Sequence, residues 1–250
     1  MPFPHQPRKH RWAPLYSASD FWRYVATRTG NPSPRAPPNV VLVFGERWTR
    51  YLNRTFRGTY DSETGVYRVD RSVGVVQVRG PGAPFASIVV EERAALGVKR
   101  FVIVGLAGSL SRDIQAGSMV VCTKALRDEG TSHHYQPAAP FSHPDRRLTT
   151  ALKASLQSAG VPYFEGPSWT TDAPYRETIP EIRRYRRAGI LTVEMEASAV
   201  FAVARALGRR AAALFVISDH LDEAGWEPRF HDMRAALHQA LRIAIQACKN

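Results

Sequence analysis

Short apolar runs rich in β-branched residues alternate with longer amphipathic stretches from residue 40 onwards. The runs predict strands and the amphipathic stretches predict helices. Regular alternation of this kind is typical of a mostly parallel sheet covered by helices on both faces. The predicted strands are NVVLVF, VGVVQV, FVIVGLAG, SMVVCT and AAALFVIS, and the predicted helices are APFASIVVEERAALG, DRRLTTALKASLQSAG, ETIPEIRRYRRAG, the stretch 194–207 and RFHDMRAALHQALRIAIQA.

Residues 1–39 differ from the rest of the chain in composition and pattern. They are rich in Pro, Arg and His and contain one helical pattern, near SASDFWRYVATR. Proline-rich stretches interrupt regular structure, so we expect residues 1–39 to form an N-terminal arm that leads into a single α/β domain over residues 40–250. The length of 250 residues and the 44% content of hydrophobic residues are sufficient for that domain to bury a full core.

The chain carries a net charge of +12 and has a pI near 10.2. Such a balance would suit a nucleic-acid binder, because bound Lys and Arg release counterions from phosphates. The basic residues are spread along the whole chain, however, and no helix-turn-helix, zinc-finger or RNA-recognition motif accompanies them. The charge therefore predicts a basic surface on a globular protein that has no nucleic-acid partner.

The chain shows no run of about 18 or more apolar residues, which a membrane span would need. Its N-terminus, MPFPHQPRKHRW, lacks the apolar core of a signal peptide, so we expect a soluble protein of the cytoplasm without a membrane partner. The two cysteines, Cys122 and Cys248, lie far apart. This spacing supports neither a disulfide framework nor a metal site, and we expect both residues to be buried in packing roles.

In sheets of this class, ligands bind beyond the carboxyl ends of the strands, so the residues after each apolar run indicate the site. We expect the groups that follow three of the runs to meet at one edge of the sheet. The glycine-rich segment among them lacks the third glycine of a dinucleotide fingerprint and the Lys-Ser/Thr ending of a phosphate loop. The three groups are Gly45, Glu46 and Arg47 after VVLVF, the segment GLAGSL with Gly105 and Gly108 after FVIV, and Ser218, Asp219 and His220 after AAALFVI.

Two carboxylates, Glu194 and Glu196, lie in the apolar segment TVEMEASAVFAVARAL, where a helix would bury one face. Positions two residues apart differ by about 200° around a helix, so only one of these carboxylates can share its apolar face. The pattern places one glutamate near a helix start, where the helix dipole stabilises negative charge. The pattern alone gives the other glutamate no role.

Five regions of the chain resemble, in the same order, the nucleoside phosphorylase family, which includes purine nucleoside phosphorylase, uridine phosphorylase and related nucleosidases. They are GAPFASI, GLAGSL, ALRDEGTSHHYQP, SWTTDAPYRET, and VEMEASAVFAVA followed by VISDH. The resemblance implies a single-domain phosphorylase-like fold with a central mixed, twisted sheet flanked by helices. It also implies a pentosyltransferase of nucleoside salvage and catabolism, which cleaves the N-glycosidic bond of a nucleoside.

The resemblance assigns substrate-binding roles to residues at matching positions. Glu196 matches the glutamate that binds the ribose hydroxyls, and a carboxylate offers paired acceptors for two neighbouring hydroxyls. Met195 matches the residue beneath the sugar, and Glu194 is expected to be structural. Trp169 falls where the family places an aromatic residue that stacks on the base, and Gly108 belongs to the glycine segment beside the substrate.

Asp219, preceded by Ser218, matches the aspartate with which purine-cleaving members protonate N7 as the glycosidic bond breaks. A pyrimidine has no such atom. The Gln and Arg insertion with which the pyrimidine branch recognises uracil is also missing from this sequence. The resemblance therefore favours a purine nucleoside, with Asp219 as the catalytic acid.

The usual phosphate ligands of the phosphorolytic members are missing or moved. FGERW replaces a Gly-Asp-Pro-x-Arg loop, and Ile103 and Leu106 replace an Arg and a Ser or Thr. One interpretation is a rebuilt site at Gly45 and Arg47, completed by an arginine of an adjacent subunit, either Arg54 or Arg57. Cations are needed there because a phosphate dianion is costly to bury without compensation.

Two alternatives follow from the altered phosphate ligands. Water replaces phosphate in a hydrolytic nucleosidase, with Glu46 as the catalytic base or as the residue that orients the water. The segments RDEGTSHHYQP and TTDAPYRET resemble the uridine-phosphorylase-like branch more than the nucleosidases, which favours phosphate by analogy. The other alternative is a non-catalytic protein that binds nucleosides.

Family members complete each active site with residues from a neighbouring subunit. The resemblance therefore implies a homo-oligomer, a hexamer built of dimers, in which an N-terminal histidine, either His5 or His10, reaches the ribose 5′ end of a neighbouring site. The expected small-molecule partners are a nucleoside and inorganic phosphate, which serves as co-substrate. The resemblance implies neither a metal nor an organic cofactor.

Overall fold

A computed structural model describes residues 4–6, 8–46, 48–56 and 59–249. These residues form seven α-helices and eleven β-strands, besides short 3-10 turns. The helices are α1 (Ala18–Thr29), α2 (Trp48–Thr55), α3 (Ala83–Ala95), α4 (Arg146–Ser158), α5 (Ile179–Arg187), α6 (Ala197–Ala206) and α7 (Arg234–Lys249). The strands are β1 (Asn39–Phe44), β2 (Tyr60–Asp61), β3 (Val66–Arg68), β4 (Val73–Val78), β5 (Arg100–Ser109), β6 (Met119–Asp128), β7 (Phe141–Ser142), β8 (Tyr163–Thr171), β9 (Thr192–Glu194), β10 (Arg210–Asp222) and β11 (Gly225–Pro228).

The strands form one mixed sheet with β5 at its centre. β5 pairs in parallel with β1 and β10, and antiparallel with β9. β10 pairs antiparallel with β6, and both β6 and β9 pair in parallel with β8. The strands β5, β10, β6, β8 and β9 therefore close into a ring. The predicted single-domain α/β fold with a central mixed sheet is confirmed.

The apolar pattern alone predicted a mostly parallel sheet, and this prediction is wrong for β6. SMVVCT does form a strand, but it follows β5 after a loop over residues 110–118 that contains no helix. A parallel connection needs a crossover of roughly a dozen residues or more, usually a helix. β6 therefore returns in the opposite direction and pairs antiparallel with β10.

Helices cover both faces of the sheet, as the alternation of elements predicted. Successive side chains of a strand point to opposite faces, and along β1 Val40 and Leu42 belong to one core while Val41 and Val43 belong to the other. The first core includes side chains of α3 and α6, and the second includes side chains of α2, α4 and α7. The sheet is consequently buried between two helical layers.

The helix α1 lies in the N-terminal segment that the sequence separates as an arm. It begins at a capping box, in which the Ser17 backbone N–H donates to the Asp20 carboxylate and the Asp20 N–H donates to the Ser17 hydroxyl. None of the α1 residues is buried, and the helix packs against α3. β1 begins at Asn39, and the division into an arm over residues 1–39 and a domain over residues 40–250 stays a prediction.

Both cysteines are free and buried, which confirms the predicted packing role. Burial raises the pKa of the Cys248 thiol to about 12 and holds the pKa of the Cys122 thiol well above its usual range. Since the thiolate is the reactive form, neither side chain is a nucleophile near neutral pH. Within the described ranges, every helix is too short or too polar to span a membrane.

Candidate active site

A cavity of about 390 Å³ lies at the carboxyl ends of β1, β5 and β10, beside the junction of β9 and α6. We refer to it as the catalytic cavity. This is the edge of the sheet at which the sequence predicted a ligand site. Eight of the residues that the sequence placed at the site line it, namely Gly45, Gly105, Gly108, Glu194, Met195, Glu196, Ser218 and Asp219.

Glu194 is the last residue of β9 and not part of a helix, because α6 begins only at Ala197. Its buried carboxylate accepts hydrogen bonds from the hydroxyls of Ser168 (3.2 Å) and Thr170 (2.5 Å) on β8. It also accepts hydrogen bonds from the backbone N–H groups of Glu196 (2.8 Å) and Ala197 (2.7 Å). The expected structural role thus has a geometric basis, since one side chain joins β8, β9 and the start of α6.

Glu196 lies at the N-terminal end of α6 and directs its carboxylate into the catalytic cavity. One carboxylate oxygen accepts a hydrogen bond from the Gly82 backbone N–H at 2.6 Å. Gly82 has φ 100°, a conformation that L-residues with a side chain rarely adopt, and an added Cβ would lie 4.0 Å from the Met195 methyl group. Burial and the neighbouring charge of Glu194 raise the pKa of Glu196 to about 8.

Asp219 enters the catalytic cavity through an irregularity in β10. Ile217 pairs with Ala107 and Asp219 pairs with Gly108, so Ser218 is an extra residue in the ladder, a bulge of the kind that redirects side chains near active sites. The Ser218 hydroxyl donates to one oxygen of Asp219 at 2.6 Å, and the Trp226 indole N–H donates to the other at 2.9 Å. Both oxygens of the buried carboxyl group are therefore hydrogen-bonded.

Gly108 leaves the room that Asp219 occupies. A Cβ at this position would lie 2.3 Å from Leu221 Cδ1 and 3.1 Å from both Asp219 Oδ2 and Val193 Cγ1. Real Cβ atoms do not approach neighbours as closely as the first of these distances. A side chain at position 108 would therefore require Leu221, Asp219 and Val193 to shift, and the glycine allows β5, β9 and β10 to pack closely beside the cavity.

Glu177 and Pro174 line the catalytic cavity, although the sequence reasoning gave them no role. Burial, followed by the charges of Asp219 and Glu181, raises the pKa of Glu177 to about 7. Both residues belong to the segment SWTTDAPYRET, on which the family resemblance rests in part. The resemblance of that segment was the available signal for these two residues, since it also contains Trp169.

The structure contradicts the prediction that Trp169 stacks on a base. The side chain is 1% exposed, does not line the catalytic cavity and packs in a separate core cluster beside Tyr185. Its indole N–H donates to Asp128 at 2.9 Å. Trp169 lies within β8, whereas the part of this region that lines the cavity follows the strand. Pro174, from that later segment, forms the cavity wall.

Of the predicted phosphate residues that the structure describes, Gly45 lines the catalytic cavity and Arg54 does not. The role predicted for Arg54 lies in an adjacent subunit and stays a prediction. Glu46 and Arg54 are exposed and line a neighbouring groove of about 1010 Å³ rather than the catalytic cavity. Arg47 and Arg57 lie outside the described residues. The Ile103 side chain is buried in the core, so this position supplies no polar contact to the cavity.

Arg79 is the one cationic side chain among the described residues that line the catalytic cavity. It also lines the neighbouring groove, so it lies where the two spaces meet. Arg79 directly follows β4, which pairs in parallel with β1. Like Gly45 after β1, it therefore lies beyond the carboxyl end of a strand, where ligands bind in sheets of this class. The signal for Arg79 in the sequence is its place directly after the apolar run VGVVQV.

Neither of the two N-terminal histidines lines the catalytic cavity of this chain. His10 lies in a 3-10 turn at Lys9–Arg11, and His5 lies in a bend that precedes it. Their predicted role concerns a neighbouring subunit and stays a prediction.

The raised pKa of Glu196 predicts a change of stability with pH. Its folded pKa of about 8 exceeds the ordinary value of 4.5, so the folded state retains a proton that the unfolded chain loses. The contribution of Glu196 to the free energy of unfolding must therefore fall as pH rises from 4.5 to about 8. Glu196→Gln removes this contribution, and the variant should gain stability relative to the original protein across that window.

Urea unfolding of both proteins at several pH values within the window measures this difference. The exposed substitution Glu63→Gln is the matched control and should follow the original protein at every pH. A constant difference between Glu196→Gln and the original protein over the whole window would contradict the assignment.

Comparison with known proteins identifies the family. The Phosphorylase superfamily matches residues 48–249. A guanosine phosphorylase of Halorubrum lacusprofundi is 37% identical over 142 residues, which cover 57% of this chain and only 59% of that protein. A uridine phosphorylase of Treponema pallidum is 34% identical over 188 residues, covering 70% of this chain and 71% of that protein.

The fold is shared with solved structures of the same kind. The crystal structure of a purine nucleoside phosphorylase from Toxoplasma gondii, in complex with immucillin-H, matches with a TM-score of 0.73 at 21% identity. That match covers 85% of this chain and 90% of the other. The family match over most of the chain confirms the resemblance of the five regions, and this protein belongs to the phosphorylase superfamily, among the relatives of the nucleoside phosphorylases.

Proposed function

We propose that this protein cleaves the N-glycosidic bond of a purine nucleoside with inorganic phosphate and releases the free base and ribose 1-phosphate. The observation that carries the proposal is the convergence of Glu196, Asp219 and Arg79 on one cavity. These side chains supply an acceptor for ribose hydroxyls, an acid for the leaving base and a cation for the attacking anion. The relatives named guanosine and uridine phosphorylase support the same reaction class.

The reaction proceeds by lengthening of the bond between ribose C1′ and base N9, which gives the sugar oxocarbenium character. Asp219 enters the reaction as the protonated acid and transfers its proton to N7 as the bond between C1′ and N9 breaks, so the departing base leaves neutral. The hydrogen bonds from Ser218 and Trp226 then stabilise the carboxylate that remains. A phosphate oxygen attacks C1′ while Glu196 binds the ribose hydroxyls above Met195, so the charge that develops on the sugar lies beside a buried carboxyl group.

The position of Glu177 favours a purine substrate that carries hydrogen-bond donors on its six-membered ring. It lines the catalytic cavity close enough to Asp219 for their charges to interact. A carboxylate is an acceptor only, and guanine presents N1–H and N2–H₂ side by side as donors. We propose that Glu177, in its ionised form, faces this edge of the base while Asp219 faces N7, an arrangement that would favour guanosine and inosine over adenosine. The guanosine phosphorylase relative supports this preference.

Phosphate is favoured over water as the nucleophile because of where the charged side chains lie. Glu46, the residue assigned to activating water, is exposed and does not line the catalytic cavity, whereas Arg79 does. Burial of a phosphate dianion requires cations of this kind. We further propose that the protein acts in the cytoplasm as a homo-oligomer, a hexamer, and that the reaction uses neither a metal nor an organic cofactor.

The proposed reaction is tested by incubating the protein with guanosine, inosine, adenosine and uridine, each with and without inorganic phosphate. Chromatography of the sugar product should show ribose 1-phosphate, formed only in the presence of phosphate and fastest from guanosine or inosine. Free ribose formed at a rate independent of phosphate would establish a hydrolase. Binding of guanosine without any product would establish a non-catalytic protein.

Asp219→Asn removes the proton that the leaving base requires but preserves the shape of the side chain. We expect kcat for guanosine to fall by about 10²–10⁴-fold, the usual contribution of general acid catalysis. Asp113→Asn is the control, because Asp113 is exposed and does not line the catalytic cavity. An Asp219→Asn variant that retains full turnover would contradict the role of this residue as the acid.

Arg79→Gln removes the cation that faces the attacking anion. We expect KM for phosphate to rise by about tenfold or more, since one charge-assisted hydrogen bond is lost, while KM for guanosine changes little. Arg71→Gln is the matched control, because Arg71 is exposed and lines neither the catalytic cavity nor the neighbouring groove. Equal effects of Arg79→Gln on both KM values would show that Arg79 supports the fold rather than the phosphate.

A further inference from the structure

A second cavity, of about 430 Å³, lies at the other end of the sheet. Its wall is formed where α4 begins, where α6 ends and where β10 begins. Arg210 starts β10 whereas Asp219 lies near its end, and nine residues of strand separate them by about 30 Å. This space, which we call the arginine cavity, is therefore distinct from the catalytic cavity.

Five arginines line the arginine cavity, and its lining includes one carboxylate. The arginines are Arg146, Arg147, Arg205, Arg209 and Arg210, and the carboxylate belongs to Asp145. The side chain of Asp145 caps α4 by accepting a hydrogen bond from the Leu148 backbone N–H at 2.9 Å. Among the ion pairs found in the described residues, none involves any of these five arginines.

Arg209 gives a separate sign that the arginine cavity lacks a partner. Its Nε atom is shielded from solvent and has no hydrogen-bond partner in the structure. A buried donor left without an acceptor is costly, and a guanidinium group is well suited to bidentate contacts with phosphate oxygens. An anion that enters this cavity would offset the charge of Arg209 and of the four arginines beside it.

The N-terminus of α4 opens on the same space. α4 begins at Arg146 directly after Asp145, and it is a helix of 13 residues. Helix N-termini carry partial positive charge, which adds to the charge of the arginines. Repulsion between so many cations in one concave space is unfavourable unless an anion of comparable charge is bound.

We propose that the arginine cavity is a binding site for an oligophosphate, either free or as the phosphate chain of a nucleoside di- or triphosphate. Five arginines exceed what one phosphate group can contact, whereas two or three linked phosphates present enough oxygens for all of them. The site is separate from the proposed catalytic reaction, and its occupancy is measured by binding and not by turnover.

Calorimetric titration of the full-length protein with inorganic tripolyphosphate tests the proposal. Arg146→Gln combined with Arg147→Gln should weaken binding by about tenfold or more. Both residues are exposed in the first turn of α4, where loss of positive charge does not oppose the helix dipole. The matched control combines Arg186→Gln with Arg187→Gln, which removes the same charge from an exposed face of α5.

Three outcomes decide the proposal. Loss of affinity in the α4 variant but not in the α5 variant supports it, and Arg205→Gln should then reproduce the loss from a different helix. An equal loss of tripolyphosphate affinity in the two double variants would show that binding depends only on the net charge of the protein, and it would overturn the proposal. Loss of binding in Arg79→Gln, with full affinity in the α4 variant, would place the anion in the catalytic cavity and would also overturn it.

The same titration identifies the source of the phosphate chain. Tighter binding of ATP or GTP than of tripolyphosphate supports a nucleotide ligand, and equal affinities support a free oligophosphate. Circular dichroism of each variant confirms that it is folded before it is titrated. Should the double variant of α4 fail to fold, Arg205→Gln on α6 provides the same test.

Discussion

The buried carboxylate of Glu194 is the interaction on which the catalytic cavity depends. It collects two hydroxyl donors from β8 and two backbone donors from the start of α6. A carboxylate buried without these donors would be very costly. The charge of Glu194 therefore requires β8, β9 and the start of α6 to keep this arrangement. Met195 and Glu196 connect the end of β9 to the start of α6, so the hydrogen bonds of Glu194 hold both residues at the cavity.

Burial also governs the charge balance of the catalytic cavity. Four carboxyl groups and one described arginine line it, and desolvation raises the pKa of Glu196 to about 8 and that of Glu177 to about 7. Because a negative neighbour disfavours ionisation further, an entering phosphate would favour the protonated forms. In the proposed reaction, Arg79 would oppose this effect by pairing with the anion where the two spaces meet.

Much of the fold and part of the site could be predicted from the sequence. β-branched runs gave the central strands, and the strand-end rule located Gly45, Gly108 and Asp219 because parallel strands end at one edge. β8 was not predicted, since YFEGPSWTT has little apolar character and owes its strand to pairing with β6 and β9. Glu194 was misplaced in a helix because a strand of three residues leaves no period to detect. Trp169 was misassigned because its burial depends on tertiary packing.

The closed ring of strands has a mechanical consequence. Every strand of the ring is hydrogen-bonded on both sides, so Asp219 on β10 and Glu194 on β9 cannot shift independently of one another. A substrate therefore meets a rigid wall on the side that carries these carboxylates. The cavity walls outside the ring include α2, the turn at Pro174–Arg176 and the turn at Phe230–Asp232. The ring thus fixes the relative positions of the two carboxylates, whereas the cavity walls outside it are not held by the same closed ladder of hydrogen bonds.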